Sequence, residues 1–374
     1  MKNKKIGILN FHYSTHNYGA VLQAGAINNS LKDLGYDVEQ INYIPHENKL
    51  SFYALRRILA KVKSKIENRE KNKDLSKVKN SVVFENFREK WLNVSSDNPI
   101  TDSELKNLAT RYFAVIVGSD QVWRPSMTQE SALRYFLDFV SPKTRRISYA
   151  ASFGVDYWKP ALIPFFTKRV KYELNKFYAI SVREDSGVKI CKEISGVEAE
   201  HVLDPTLLVG REYFDTVINQ GSKRLSDNEC TGICYYKIDM PPSFTSAIET
   251  LSKVSGRRLN NIYYSEENGF LSVENWLSSI KNSHLMVTDS FHCVCFSLLF
   301  NKPFIYLPND GRGMSRIHSL LGKLGLEFLI CHDVKDINSV YVKSQKINYD
   351  EVNLALSRER EKSKLFLKKS LSHE

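Results

Sequence analysis

Residues 284–307 read H-L-M-V-T-D-S-F-H-C-V-C-F-S-L-L-F-N-K-P-F-I-Y-L. Leu285 to Val287 is a short apolar run of the kind a buried strand needs. Thr288, Asp289 and Ser290 are helix-starting residues. Phe291 to Phe300 is apolar enough for a helix packed on a sheet. Asn301-Lys302-Pro303 stops it, and Phe304 to Leu307 is the next strand. Strand, tight turn, helix and strand make one unit of a parallel α/β sheet. His292 falls in the first helical turn, where unpaired N–H groups and a partial positive charge suit an anion. A histidine there can hold that anion and move protons near neutral pH. The turn alone fits equally well a helix merely capped by Asp289 or Ser290, with His292 a satisfied polar residue.

The same alternation extends in both directions. Ile6 to Leu9 is a first strand, and the turn Phe11 to Gly19 leads into a helix from Ala20 to Leu34, ended by Gly35. Strands follow at Val38–Tyr43, Phe113–Gly118, Arg146–Ala151 and Tyr178–Arg183, with a charged helical stretch to about Trp91 after the second. The text turns polar around 210–230. A second set then runs through Thr231–Tyr236, Leu259–Tyr264, Leu285–Val287, Phe304–Leu307 and Phe328–Ile330. Tyr349 to about Leu371 is one charged helix. The expected organisation is an N-terminal Rossmann-like domain at 1–212 carrying a basic helical insertion at about 50–92, a C-terminal Rossmann-like domain at 213–345, and a helix at 346–374 that crosses back to the first domain.

A chain of 374 residues suits two domains, and 42% hydrophobic content can fill two cores. The net charge of +11 is largely local, since residues 56–90 hold twelve Lys or Arg against five Asp or Glu. Within 52–66, Phe52, Leu55, Leu59, Val62 and Ile66 recur at helical spacing opposite Arg56, Arg57, Lys61, Lys63 and Lys65. Such a helix can lie on an anionic membrane surface or simply cover its own domain. Nucleic acid is not an expected partner, because no helix-turn-helix, zinc-finger or RNA-binding signature occurs and the charge is not spread over the fold. No apolar run reaches the length of a membrane span. Met1 to Asn10 starts basic, but its apolar core is short and broken by Asn10 and His12, so it reads as a strand and not a signal peptide. The six scattered cysteines form no C-x-x-C pair and read as buried free thiols in a reducing cytoplasm. The expected location is therefore cytoplasmic, at the inner membrane face if the basic helix engages lipid. Neither G-x-G-x-x-G nor G-K-[ST] occurs, which argues against NAD and P-loop nucleotide binding.

Polar clusters sit just beyond the expected strands, at His16-Asn17, Ser119-Asp120-Gln121, Ser152, Arg183-Glu184 and Asp289-Ser290-His292. Ligands of doubly wound sheets bind beyond the C-terminal strand ends.

Seven segments, in order, resemble the polysaccharide pyruvyl transferase family: N-Y-G-A-V-L-Q at 17–23, V-G-S-D-Q-V-W at 117–123, S-Y-A-A-S-F-G at 148–154, S-V-R-E-D-S at 181–186, L-D-P at 203–205, T-D-S-F-H at 288–292, and G-M-S-R-I at 313–317 with L-L-G-K-L-G-L after it. The resemblance implies an α/β fold of two Rossmann-like domains facing across a cleft, as in GT-B glycosyltransferases. It implies phosphoenolpyruvate as donor, and as acceptor a sugar diol of a cell-surface polysaccharide or its lipid-linked precursor. The product is a pyruvate ketal, formed without cofactor or metal. Phosphoenolpyruvate pairs a carboxylate with a phosphate, and guanidinium groups suit both. On that basis Arg183, Arg316, Ser290 and His292 are expected at the donor. His292 and Asp120 are expected to handle protons, and His16, Asn17, Tyr18 and Gln121 to meet the acceptor. The chain departs from the family at Cys293, where glycine is usual, and at Glu327, near which arginine is often found.

Each residue also has a plainer reading. Arg183 and Glu184 fit a surface ion pair, Asp120 and Asn17 fit turn caps, and Trp123, Tyr149 and Trp158 fit core packing as well as sugar stacking. Two other functions compete. A GT-B glycosyltransferase would use a nucleotide sugar, with Glu266, Glu267 or Glu274 holding the ribose. A non-catalytic member would bind polysaccharide or a synthesis complex through the basic helix.

Overall fold

The computed structural model describes residues 4–45, 80–99, 101–161, 165–221, 231–237, 240–267, 269–309 and 313–372. The amphipathic helix expected at 52–66 lies outside the described residues. Among the described residues, ten strands form two sheets. The first contains β1 (Lys5–Leu9), β2 (Asp37–Gln40), β3 (Ala114–Val117), β4 (Arg145–Ala151), β5 (Ala179–Val182) and β6 (Glu200–His201). The second contains β7 (Ile233–Tyr236), β8 (Leu259–Asn261), β9 (Leu285–Thr288) and β10 (Phe304–Tyr306). The spatial orders are β2-β1-β3-β4-β5-β6 and β10-β9-β7-β8. Every pairing between these strands is parallel. The order reverses between β1 and β3 in one sheet and between β7 and β9 in the other, so each sheet has a crevice at its C-terminal edge.

The helices that bear on function are α1 (Tyr18–Asp33), α2 (Val82–Trp91), α3 (Asp185–Ser195), α4 (Pro205–Val209), α5 (Val273–Asn282), α6 (Phe291–Leu299), α7 (Ser315–Leu324) and α8 (Tyr349–Leu371). Local chemistry sets their ends. The Asn17 side chain caps α1, and Gly35 at φ +85° closes it with the Tyr36 N–H returning to the Leu31 carbonyl. Asp204 and Pro205 start α4 as cap and first helical residue.

One apolar core joins the two halves. Tyr18, Phe84, Leu207 and Phe214 pack with Trp276, Phe291, Phe296 and Ile317. The rings of Tyr18 and Trp276 stack 4.7 Å apart at 7°. α8 ties the halves a second time. Its first residue, Tyr349, donates to the Lys302 carbonyl, and its end buries Phe366, Leu367 and Leu371 against Ile6, Ile27 and Ile116. Tyr36 donates to the Leu371 carbonyl at 2.8 Å. The C-terminal helix therefore does cross back onto the first sheet.

The strand expected at Phe328–Ile330 does not form. Glu327–Leu329 is a 3-10 turn following Gly325 at φ +66°, and only Ile330 bridges, to Tyr306. The Leu329 and Ile330 N–H groups instead return to the Leu326 and Glu327 carbonyls at 3.0 Å, which uses up the donors a ladder would need. The strands expected to reach Tyr43 and Tyr264 end at Gln40 and Asn261. Among the described residues, no helix is long and apolar enough to cross a membrane.

Candidate active site

β4 carries an irregularity that shapes the first crevice. Its register to β5 slips between Ser148 and Ala151, with Ala150 at φ 53°. Hydroxyls take up the backbone groups freed by the slip. Ser148 Oγ donates to the Ser181 carbonyl, Ser181 Oγ donates to the Ser148 carbonyl, and Ser181 Oγ accepts the Ala150 N–H. A bulge re-aims the strand end. Here it turns Ser152, Phe153 and Gly154 onto one carboxylate oxygen, Glu184 Oε1, through the Ser152 hydroxyl at 3.0 Å and the two N–H groups at 2.7 and 3.0 Å. Burial pushes the Glu184 carboxyl up from its ordinary range, against the pull of Arg183. Glu184 is a brace between β4 and β5 and not half of a surface ion pair.

Arg183 leaves β5 into the interior. One Nη1 donates to Asp204 Oδ2 at 2.6 Å and to Ser119 Oγ at 3.3 Å. Nη2 lies 3.5 Å from Asp120 Oδ1, and neither Nε nor Nη2 has a hydrogen-bond partner. Asp120 holds φ 85°, a left-handed conformation that a short polar side chain tolerates. Its Oδ1 also accepts the Gln121 N–H at 2.8 Å, so it both shapes its turn and faces Arg183. Asp204 closes this half of the site. Burial alone would raise its carboxyl, but the His292 ring, the Arg183 guanidinium and the Thr206 N–H hold it far below the usual carboxylate range.

The second half supplies α6 and α7. The Ser290 N–H donates to Thr288 Oγ1, and the Ser290 hydroxyl makes no cap bond. His292 Nε2 points at Asp204 Oδ2 from 3.7 Å. Nδ1 packs on Gly19, where an added Cβ would come within 2.0 Å of it. Arg183 and Arg316 both lie against the Phe291 ring, at 4.5 and 5.6 Å from its centre. Burial, and then Arg183, lower the Arg316 guanidinium to about 10. Arg183, Arg316 and His292 are 4%, 7% and 6% exposed, so two cations and an imidazole meet out of water at the joint.

The structure thus brings Arg183, Asp120, Arg316, His292 and the Ser290 turn together. Of the four acceptor candidates, Tyr18, Gln121 and Asn17 make contacts within the protein. Tyr18 is wholly buried, stacked on Trp276 and donating to the Leu271 carbonyl at 2.8 Å, which makes it part of the joint between the halves. Gln121 Oε1 accepts from Arg124 at 2.6 Å and packs on Gly154, so it is engaged in the loop. Asn17 accepts the Ala20 N–H at 3.3 Å as the α1 cap. His16 is exposed. Trp123 donates to the Tyr135 carbonyl and stacks on Phe136, Tyr149 donates to the Leu203 carbonyl, and Trp158 stacks on Phe166, all as packing residues. Cys293 is buried, and Glu327 sits near His318 at 3.4 Å.

Residues without a role in the sequence reading also matter. In the sequence Asp204 appears only within the L-D-P segment, with no role attached to it. Lys237, at the end of β7, is buried 3.5 Å from Asp289 Oδ2, and Asn309 donates to the same oxygen at 3.1 Å. A lone lysine after a strand gave no signal of this. Gly313, at φ +72°, brings the α7 loop against Gly154, since a Cβ there would stand 2.0 Å from the Gly154 carbonyl oxygen. Gly313→Ala should therefore cost about 1–3 kcal/mol by forcing backbone apart. Urea unfolding checks this, and an unchanged midpoint would mean the two loops do not touch.

Comparison with known proteins agrees with this fold. The family model described as polysaccharide pyruvyl transferase matches residues 17–311. A search of curated proteins gives no match. Among solved structures, UDP-GlcNAc 2-epimerase from Neisseria meningitidis bound to UDP-GlcNAc is similar at TM-score 0.51 and 10% identity, over 98% of this chain and 99% of that one. A putative UDP-N-acetylglucosamine 2-epimerase from Listeria monocytogenes is similar at TM-score 0.53 and 10% identity, over 95% of this chain and 91% of that one. At such identity the likeness is one of fold: two α/β halves with parallel sheets in the GT-B arrangement.

Proposed function

The chain belongs to the polysaccharide pyruvyl transferase family, and on that premise we propose that it is a transferase moving the enolpyruvyl group of phosphoenolpyruvate onto two hydroxyls of a sugar in a polysaccharide or its lipid-linked precursor. The observation that carries the donor is the pair of buried guanidiniums, Arg183 and Arg316, on one phenyl ring beside His292. Arg183 lowers the Arg316 guanidinium even with Asp120 and Glu184 opposing it, and an anionic ligand beside the two offsets that repulsion. The Arg183 edge formed by Nε and Nη2 is buried without a hydrogen-bond partner, and it presents two parallel N–H groups suited to a carboxylate or phosphate. A trianionic donor with both groups close together meets that demand.

In this reading, Arg183 and Arg316 take the carboxylate and phosphate, and the Ser290 turn with the first N–H groups of α6 adds neutral donors. His292 moves the proton. The vinyl carbon gains a proton and becomes a methyl group, one sugar oxygen bonds to the neighbouring carbon, phosphate leaves, and the second oxygen closes the ketal. Of the two hydroxyl protons, one ends on the methyl group and the other on phosphate, so charge and atoms balance without redox chemistry. Asp120, beside Arg183, is the candidate base for a hydroxyl, and the His16–Asn17 loop next to Gly19 is the side from which the acceptor enters. The reaction takes place on the cytoplasmic side of the membrane.

Titration calorimetry with phosphoenolpyruvate and with UDP, on the wild type and on His292→Ala, tests this. Saturable phosphoenolpyruvate binding that weakens at least about tenfold in the variant is expected. Binding of UDP without phosphoenolpyruvate would overturn the proposal in favour of nucleotide-sugar transfer.

A further inference from the structure

The Leu203-Asp204-Pro205 turn is the one sequence motif the donor site leaves without a task, and its carboxylate stands between the two residues that carry the chemistry. Asp204 is fully buried, and its two oxygens divide their work. Oδ1 accepts the Thr206 N–H at 2.9 Å and the Thr206 hydroxyl at 2.7 Å, which starts α4. Oδ2 accepts from Ser119 Oγ at 2.8 Å and from Arg183 Nη1 at 2.6 Å, and faces His292 Nε2 at 3.7 Å. The backbone behind it is fixed, because the Leu203 N–H donates to Ser363 Oγ and the Leu203 carbonyl accepts from Tyr149.

His292 Nε2 is buried without a hydrogen-bond partner. The Asp204 carboxylate beside it can only accept, so it can satisfy that nitrogen only as N–H. A gap of 3.7 Å is longer than a hydrogen bond, and catalytic hydrogen bonds of this kind tighten when substrate closes the site. With the proton on Nε2, the lone pair lies on Nδ1. That nitrogen faces Gly19 in the first turn of α1, next to the loop read as the acceptor side.

We propose that Asp204 is the positioning residue of this site: it fixes the His292 proton on Nε2, so that Nδ1 exchanges a proton with substrate, while the same oxygen orients Arg183. The step balances, since Nδ1 gains a proton as a sugar hydroxyl is deprotonated and passes it to the vinyl carbon or the departing phosphate. This rests on the reading of His292 as the proton carrier.

Long-range nitrogen–proton NMR of histidine-labelled protein decides it without substrate. The His292 signals are those lost in His292→Gln. In the neutral ring the proton should sit on Nε2 and the lone pair on Nδ1. A deprotonated Nε2 in the wild type overturns the proposal, even if Asp204→Asn fails to fold. In Asp204→Asn the amide can donate to Nε2, so the tautomer should reverse; Ser119→Ala, which removes another partner of Oδ2, should leave it unchanged. Turnover adds a second readout. Asp204→Asn should lower kcat about a hundredfold or more, as wrong-tautomer variants of other triads do. Phosphoenolpyruvate affinity should fall far less than kcat does, because Arg183 loses one orienting partner but keeps its charge. Parallel loss of binding and kcat would mean a merely structural role. Absence of phosphoenolpyruvate binding in the wild type would sink the donor assignment while leaving the tautomer result intact.

Discussion

Arg183→Met loses stability and donor binding together, and a second substitution separates the two. The guanidinium is the nearest cation to two buried carboxylates, Asp204 at 2.6 Å and Asp120 at 3.5 Å. Removing one partner of a buried ion pair leaves an uncompensated charge, at a cost of about 3–5 kcal/mol. Asp204→Asn on the same chain removes most of that charge while keeping an oxygen for Thr206, so the double variant should recover much of the unfolding free energy. Donor affinity should not recover. Losing a desolvated charged contact costs about 2–5 kcal/mol, which is roughly a thirtyfold to several-thousandfold rise in Kd. Urea unfolding and calorimetry measure the two quantities separately. If the double variant binds phosphoenolpyruvate like the wild type, Arg183 is a structural residue and the donor lies elsewhere.

The same pair sets the acid limb of stability. Asp204 is depressed in the folded state, so its contribution is fully present above the ordinary carboxylate range and is lost as pH falls from there toward its depressed value. In Arg183→Met part of that depression goes, because Arg183, after His292, is one of its causes. Stability in the variant should therefore fall less steeply between about pH 4 and pH 2 than in the wild type. An identical acid limb in both proteins would mean that other groups, and not Arg183, hold the Asp204 carboxylate.

The residue patterns displayed the architecture because period and punctuation are local. The apolar runs at Ile6, Val115, Ile180, Ile233 and Val287 are short, bounded by turn residues and separated by helical spacing, and each became a parallel strand. Phe328–Ile330 failed for the same reason in reverse: three apolar residues carry no period, and the left-handed Gly325 before them turned the chain. The cluster at the joint was legible where its residues follow strand ends, as Arg183 and His292 do. It was illegible where a residue's task depends on the other half of the chain. Tyr18 sits in a polar-looking turn, yet its ring spans to Trp276, 258 positions along the numbering. Asp204 has no role attached to it in the L-D-P segment, and only the fold places Arg183 and His292 on its second oxygen. Gly19 reads as an ordinary glycine near a helix start until the imidazole of the second half is laid on it.

That contact gives the second large effect. Gly19→Ala replaces hydrogen with a methyl group whose carbon would stand 2.0 Å from His292 Nδ1 and 2.4 Å from Cγ. Real contacts of that length do not occur, so the imidazole must move. Gly19 has helical backbone without positive φ, so alanine by itself would favour α1 by up to about 1 kcal/mol. The net change in stability is set by the displaced ring, about 1–3 kcal/mol unfavourable less that gain. Turnover should fall much further, because a shift of about 1 Å in a catalytic group can cost about a hundredfold. Adding His292→Ala settles the cause. With the ring gone the methyl group has room, so Gly19→Ala/His292→Ala should unfold at higher urea than His292→Ala alone, by the helix-propensity gain. If Gly19→Ala destabilises equally in both backgrounds, the clash is with something other than His292. Were Gly19→Ala to keep full turnover, the ring could not be held at Gly19 during the reaction. Nδ1 would then have to reach substrate from an open arrangement of the two halves, and Asp204, fixed on the first half, would have no part in orienting it.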